Sequence, residues 1–284
     1  MTAAELAGGV VLAAGAAACF DGAVALQALE ARALPTDRIG AGFVRGLLKR
    51  RRWLAATGLA VLGWPLQIGA LALAPLTVVQ PTLALGVVLL LYLGHRMLGE
   101  PVRPRDLAAI GAIVVGIALL AWAAPAAGDV QAGDLTVAIV IGGLGLVAAA
   151  PWTLPRRPRG TVLVIAAGCG FAASGIASKL LADALHSGTL SAVALWIVVT
   201  AAVAGLGMVD DMAALQTVVA ARAAGGAFAL ETALPVLLAP IVVGEEWGGT
   251  PLGGGVILLG LALVLGGAAV LGSTGAVSRL ASAR

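Results

Sequence analysis

Long apolar runs alternate with short polar connections along the whole chain. Nine runs have roughly the 17–25 residues that an α-helix needs to cross the hydrocarbon core of a bilayer. They cover residues 6–29, 53–73, 75–97, 105–123, 133–151, 160–183, 189–209, 223–243 and 252–272. Within each run the apolar residues are continuous and lack the two-residue alternation of a membrane β-strand. The pattern predicts an all-α polytopic membrane protein with nine transmembrane helices.

The stretch between the seventh and eighth runs leaves the number of helices open. Asp210, Asp211 and Arg222 bracket the apolar segment MAALQTVVAA. We interpret this segment as a cytoplasmic helix extension or loop, and a tenth short span is the alternative. Ten spans would put the C-terminus outside, where Arg279 and Arg284 would contradict the rule that basic segments stay in the cytoplasm.

Basic residues predict the orientation of the chain. Arg and Lys cluster in the connections after the first, third and fifth runs and in the C-terminal tail, whereas AAPAAGDVQAGD and EEWGGTP contain neither. With nine spans the basic segments all lie on one side, so we expect the N-terminus outside and the C-terminus in the cytoplasm. The abundance of Ala, Gly, Val and Arg suggests a bacterial source, which makes the bacterial cytoplasmic membrane the expected location.

A shorter pattern occupies residues 38–52, between the first two runs. Apolar residues fall on one helical face and basic residues on the other, which is typical of a helix lying in the membrane interface. The apolar face holds Ile39, Phe43, Val44, Leu47 and Leu48, and the basic face holds Arg38, Arg45, Lys49 and Arg52. The sequence predicts a short amphipathic helix, with a solvated basic loop as the alternative.

The amino-acid composition argues against a soluble protein, a nucleic-acid partner and a metal-dependent enzyme. The chain is 61% hydrophobic and 11% charged, whereas about 25% of the residues of soluble domains are charged. The net charge of +3 comes from the basic loops, so we expect no nucleic-acid partner. Cys19 and Cys169 fall inside predicted spans, which supports neither a disulfide nor a zinc site. No nucleophile–base spacing accompanies His95 or His186, so we expect no enzyme, cofactor or metal centre.

Two parts of the chain share one pattern. Leu98–Glu100 recurs as Val243–Glu245, and Gly111–Gly116 recurs as Gly255–Gly260. The predicted orientation puts the first Gly-Glu loop inside and the second outside, so the two halves would be inverted. Inverted repeats are a construction principle of secondary transporters. The alternative is chance recurrence in a chain with 40 glycines.

The segments PTLALGVVLLLYLGHRMLGEPVRPRDLAAIGAIVVGIALL and LPVLLAPIVVGEEWGGTPLGGGVILLGLALVLGG each resemble the C-terminal part of an EamA unit. This is the repeat of the drug/metabolite transporter superfamily, and the resemblance implies a helical bundle that transports small solutes. The basic stretch stands where the second helix of that unit is usual, and the resulting nine spans are similar to the NIPA-like magnesium-transporter branch. We therefore divide the chain into a first repeat (1–125), a connecting span and basic loop (126–159), a second, inverted repeat (160–273) and a cytoplasmic tail (274–284).

Proline kinks and polar side chains coincide near the middle of three predicted spans. Pro65, Pro81 and Pro235 each remove a backbone hydrogen bond and bend their helices. Kinked helices with nearby polar groups form substrate sites at the membrane midplane of transporters. The candidate substrate contacts beside these prolines are Trp64, Gln67, Gln80 and Thr232. Hydrogen bonds between neighbouring helices, and simple packing for Trp64, are the alternatives.

Three charged residues lie inside predicted spans: Asp21, Lys179 and Glu231. An ionised side chain at the bilayer centre costs at least about 2.5–3.5 kcal/mol on insertion scales, so it faces protein or water. Asp21 and Glu231 lie near the middle of the first and eighth spans, one in each half, and are our main candidates for binding substrate or protons. Lys179, near the outer end of its span, is a weaker candidate because it can reach the interface. A permanent ion pair with Lys179 or Arg222 is the structural alternative for the acids.

These features predict a secondary active transporter that exports a small organic metabolite or drug-like solute by proton-coupled alternating access. The alternative is a magnesium or divalent-cation transporter of the NIPA-like type, in which the acids supply oxygen ligands. The expected partners are the lipid bilayer and a small-molecule or ion substrate, and a homodimer is left open.

Overall fold

The computed structural model describes residues 2–32, 41–83, 85–86, 104–127, 133–153, 158–216 and 220–273. Its α-helices are α1 (Ala3–Arg32), α2 (Ala41–Leu48), α3 (Arg51–Leu73), α4 (Leu76–Thr82), α5 (Pro104–Trp122), α6 (Asp134–Thr153), α7 (Gly160–Ser187), α8 (Leu190–Leu215), α9 (Ala220–Val242) and α10 (Gly255–Ser273). Two short strands, β1 (Ala126–Ala127) and β2 (Glu245–Glu246), and a 3-10 helix at Pro251–Gly254 complete the described elements.

Seven helices in the described ranges are long and apolar enough to cross a membrane. They are α1, α3, α5, α6, α7, α8 and α10, the last counted together with the 3-10 helix before it. The apolar part of α9, Gly226–Val242, is shorter. These helices confirm the predicted class, an all-α polytopic protein embedded in a membrane.

The predicted spans match the helices except at one place. The third span, at 75–97, is represented by α4 and by residues 85–86, while residues 87–103 lie outside the described part of the chain. The predicted extension of the seventh span is confirmed, because α8 continues through Asp210 and Asp211 to Leu215. Only four residues separate its end from the start of α9 at Ala220, which favours the helix extension over a tenth span in this stretch.

The predicted amphipathic helix is α2, which is shorter than residues 38–52. Phe43 and Leu47 are buried in a cluster with Trp53 and Met212, so the apolar face of α2 packs on protein. Arg51 and Arg52 do not continue this helix but open α3. The described part of the stretch therefore favours the helix over the solvated loop.

The connections define two ends of the bundle. Strands β1 and β2 pair antiparallel, which brings the ends of α5 and α9 together at what we call the strand end. At the other end, Arg50 before α3 forms a 2.7 Å salt bridge with Glu30 of α1. Trp152 of α6 also donates a hydrogen bond to Asp210 of α8 there. We call this the basic end, and it is the end that the sequence assigns to the cytoplasm.

Helix α7 lies at the centre of the bundle because small residues let its neighbours approach closely. A Cβ added at Gly168 would lie 2.6 Å from the Leu230 side chain of α9, and one at Gly170 would lie 2.8 Å from the backbone of Gly207 in α8. Such small-residue contacts are the usual packing device of membrane helices. Among the described helices, α7 also contacts α3 and α6, so it is covered on nearly every face.

Glycines also bring α5 and α10 together. A Cβ at Gly116 would lie 2.7 Å from the carbonyl oxygen of Gly260, and a Cβ at Gly260 would lie 2.9 Å from the carbonyl oxygen of Gly116. This pair therefore serves the close packing of the two helices. This packing role does not extend to Gly111, which faces open space.

Candidate functional site

A cavity of about 290 Å³ lies inside the bundle. Side chains from α1, α3, α7, α8 and α9 line it, together with Leu83 at the end of α4. Its wall begins near the middle of α1, α3 and α9 and reaches toward the basic end, where Gln27, Thr57 and Asp211 belong to it. The cavity is thus the place where polar groups from distant parts of the chain meet.

The structure brings four of the predicted site residues into this wall: Asp21, Trp64, Gln67 and Glu231. Asp21 comes from α1, Trp64 and Gln67 come from α3 beside Pro65, and Glu231 comes from α9. The two acids that the sequence analysis assigned to different halves therefore line a single cavity.

The other three predicted site residues do not belong to this cavity wall. Gln80 is buried with its Nε2 unpaired among the described residues, and it packs against Gly175 of α7. Thr232 is also buried, on a face of α9 outside the cavity wall. Lys179 forms a 2.8 Å salt bridge with Asp183 and donates a hydrogen bond to the Leu71 carbonyl oxygen at 3.2 Å.

A third carboxylate, Asp211, joins the cavity wall and was not among the predicted site residues. Its side chain is 7% exposed, and it lines the same cavity as Glu231. The sequence signal is the Asp210–Asp211 doublet at the end of a long apolar run. The extra turns of α8 beyond that run place Asp211 against the cavity.

The acids of the cavity differ from Glu30 and Asp183 in having no partner. Asp21, Asp211 and Glu231 form no hydrogen bond or salt bridge with any residue that the structure describes, whereas Glu30 and Asp183 are both paired with cations. No Lys, Arg or His is found among the described residues of the cavity wall. Of the predicted ion-pair alternatives, Lys179 is paired with Asp183 instead, and the side chain of Arg222 lies outside the described part of the chain.

The space for Asp21 is provided by a glycine. A Cβ at Gly86, beyond α4, would overlap the carboxylate of Asp21. Gly86 is also the residue that stands 145 positions before Glu231, where the predicted repeat would put the counterpart of that acid. The first half thus carries its acid on α1, with Gly86 making room for it, and the second half carries its acid on α9.

The rest of the wall is aromatic and polar. Phe20, Trp64, Phe171 and Phe228 line the cavity. Gln67 and Ser174 are only 5% and 6% exposed, and neither forms a hydrogen bond with another described residue. In contrast, the Gln27 amide donates a hydrogen bond to Thr57 at 3.0 Å. The cavity therefore offers free carboxylate, amide and hydroxyl groups beside aromatic rings.

The described residues contain no group of three His, Cys, Asp or Glu side chains arranged to hold a metal ion. The cavity carboxylates come from three helices, α1, α8 and α9. Comparisons with models of known protein families, with curated proteins and with solved structures give no match. The proposals that follow therefore depend on the sequence pattern and on this geometry.

Proposed function

We propose that this protein is a secondary active transporter of the drug/metabolite transporter superfamily, with the nine-span EamA-like organisation. It exports a small organic solute across the bacterial cytoplasmic membrane by proton-coupled alternating access. The observation that carries the proposal is the internal cavity, lined by five helices and containing three unpaired carboxylates. Ionisable groups inside a membrane protein mark substrate or proton pathways because their burial is costly.

The helix contacts support an arrangement of two related halves. In the first half α1 packs on α3, and in the second half α7 packs on α8. Helices α4 and α9 contact each other, as do α5 and α10, the latter at Gly116 and Gly260. These pairs are the ones expected if α1, α3, α4 and α5 correspond to α7, α8, α9 and α10. Transporters built in this way bind substrate between their halves.

The structure corresponds to a state in which the cavity is closed toward the strand end of the bundle. A packed core of apolar residues from α3, α4, α7 and α9 fills the bundle at that end, and it includes Leu71, Leu76, Ile176 and Val242. Alternating access would require these groups to separate while the basic end closes. Exchanging the conformations of the two halves would achieve both movements.

Glu231 is the proposed coupling residue. It lies near the middle of α9 and lines the same cavity as Asp21 and Asp211. A carboxyl group in this cavity can hold a proton while the cavity is empty and release it when substrate binds. Release to one side and uptake from the other would couple transport to the proton gradient.

The test compares cells that overexpress the wild type, Glu231→Gln and Glu246→Gln. The Glu246 side chain is exposed at the strand end, so its variant controls for the loss of one carboxylate. Untargeted profiles of intracellular and medium solutes, including metals, should show at least one solute whose export needs Glu231. The purified proteins are then placed in proteoliposomes with a pH gradient. Unchanged proton-driven flux of that solute in Glu231→Gln, with the protein folded, contradicts the coupling role.

A magnesium or divalent-cation transporter is the second candidate. The observation in its favour is the set of oxygen donors in one cavity, namely three carboxylates with Gln67 and Ser174. Magnesium retains several waters and needs only a few direct oxygen ligands. Addition of Mg²⁺ at constant ionic strength should then raise the melting temperature of the wild type but not of Glu231→Gln. No shift in the wild type argues against this candidate.

A further inference from the structure

We infer that the solute bound in this cavity is a small organic cation, an amine or quaternary ammonium that carries an apolar group. The inference rests on the proposed transport function and names the substrate class of the same site. It is carried by the juxtaposition of unpaired carboxylates with aromatic rings, in a wall whose described residues include no cation.

The first step is the charge of the wall. Asp21, Asp211 and Glu231 face a cavity in which no described Lys, Arg or His can neutralise them. A buried charge without a partner is strongly destabilised relative to water. A cationic ligand would supply the missing partner. An anionic ligand would add a further negative charge, and a neutral ligand would leave the carboxylates unpaired.

The second step is the concentration of aromatic side chains at the cavity. The chain has four phenylalanines, and three of them, Phe20, Phe171 and Phe228, line this wall together with Trp64. Aromatic faces attract organic cations through the ring quadrupole, and more strongly when water is excluded.

The third step concerns the free polar groups. Asp211, Gln67 and Ser174 are each more than nine-tenths buried, line the cavity and have no hydrogen-bond partner among the described residues. Buried polar groups are normally satisfied, so these three point to a bound molecule that completes their hydrogen bonds. A protonated amine could donate N–H groups to the carboxylate, amide and hydroxyl oxygens, and a quaternary ammonium could pair with the carboxylates through its charge alone.

The fourth step is size. A volume of about 290 Å³ is near the lower limit of small-molecule sites, which start at roughly 300 Å³. The side chains of Met208 and Met212 also belong to the wall, and methionine adapts to ligands of different shape. The cavity thus suits a compact cation with one ring or a short aliphatic group.

The binding test uses isothermal titration calorimetry on the purified full-length protein in detergent, at constant ionic strength. The probes are benzyltrimethylammonium and tetramethylammonium as cations, benzylsulfonate as an anion and benzyl alcohol as a neutral molecule. We expect benzyltrimethylammonium to bind at least about tenfold more tightly than the anion and the neutral probe, a ratio that corresponds to about 1.4 kcal/mol. Equal affinity for the three benzyl probes, or no binding of either cation, overturns the inference.

Matched variants locate the binding. Glu231→Gln and Asp211→Asn should each weaken benzyltrimethylammonium binding by about tenfold or more, because each removes a desolvated charge partner. Trp64→Leu should weaken it by about three- to tenfold through the lost cation–aromatic contact. Glu246→Gln, and Trp122→Leu at a residue that is 68% exposed, should leave the affinity unchanged. Folded acid and Trp64 variants that bind the cation as tightly as the wild type contradict the inference.

Failure of the inference can be told apart from failure of the proposed function. If the metabolite comparison finds Glu231-dependent export of a neutral or anionic solute, the transport function stands and the cation assignment is wrong. If the cation binds in a Glu231-dependent way but proteoliposomes show no flux of any solute, the site assignment stands and the transport function is wrong.

Discussion

The carboxylate of Glu245 accepts a hydrogen bond from the backbone N–H of Leu76 at 2.6 Å. It also accepts hydrogen bonds from the backbone N–H and the hydroxyl of Thr77. Gly244, with φ +69°, follows the end of α9. The side chain of Glu245 is only 4% exposed, and it joins the second half of the chain to the start of α4.

This contact predicts a stability difference between two substitutions. Glu245→Ala removes the acceptor from two buried N–H groups, which should cost about 1–3 kcal/mol for each group left unsatisfied. Glu245→Gln keeps an oxygen for Leu76 and an amide that can donate to the Thr77 hydroxyl, so it should cost much less. Melting temperatures in detergent measure both, with Glu246→Gln as the exposed control. Equal losses in Ala and Gln variants would mean that the hydrogen bonds contribute little.

Glu245 also predicts a pH dependence. Burial raises the pKa of the Glu245 carboxyl, although the hydrogen bonds from Thr77 and Leu76 act in the opposite direction. The folded state then keeps this proton at pH values where the unfolded chain has lost it. Its contribution to stability is present below the ordinary glutamate pKa and is lost as the pH rises through the raised pKa.

The measurement follows the melting temperature of wild type, Glu245→Gln and Glu246→Gln over a range of pH. We expect Glu245→Gln to gain relative to the wild type as the pH rises through that window, because it has no proton to lose. The Glu246→Gln difference should stay flat. A flat difference for Glu245→Gln as well would show that burial does not perturb this carboxyl.

The close contact between α5 and α10 predicts that alanine destabilises the protein at Gly116 but not at Gly111. Gly116→Ala places a Cβ against the Gly260 backbone, which cannot move aside as a flexible side chain would, and such overpacking typically costs about 1–3 kcal/mol. Gly111→Ala, in the same helix but facing open space, should be neutral or stabilise by up to about 1 kcal/mol through helix propensity. Thermal unfolding of the two variants makes the comparison. Similar melting temperatures for both would contradict the close approach.

Gly86 and Asp21 predict an energetic coupling across the bundle. Gly86→Ala should destabilise the wild type because the new methyl group overlaps the Asp21 carboxylate. In an Asp21→Ala background that overlap is gone, and Gly86→Ala should cost much less. The double-mutant cycle should give an interaction energy of about 0.5–3 kcal/mol. If the stability losses of the two substitutions simply add, the two residues do not interact.

We predict that substitution of Lys179 leaves ligand binding and solute export unchanged. Its salt bridge with Asp183 is partly exposed, with the two side chains 19% and 30% exposed, so Lys179→Met should lower stability by no more than about 1 kcal/mol. Because Lys179 lies outside the cavity wall, benzyltrimethylammonium binding and solute export should match the wild type. Loss of export as large as in Glu231→Gln, in a folded protein, would restore Lys179 as a site residue.

Part of the candidate site was predictable from single positions. Asp21 and Glu231 stand out because an acid inside an apolar run must face protein or water, and Trp64 and Gln67 stand out beside the kink at Pro65. Gln80 and Thr232 also lie near prolines, but neither belongs to the cavity wall. Proximity to a kink does not say which face of the helix looks into the cavity, and that depends on the rotation of the helix against its neighbours.

The sequence by itself determined that this is an all-α protein of a membrane. Backbone polar groups in lipid must pair within each segment, so long apolar runs can only form helices, and the helix bounds follow these runs closely. Tertiary structure alone decided that Asp211 joins Asp21 and Glu231, that Lys179 is paired elsewhere and that Glu245 ties α9 to α4. These contacts join residues far apart in the chain, and their geometry depends on how closely glycines such as Gly116 and Gly168 let the helices approach, which no local pattern of residues records.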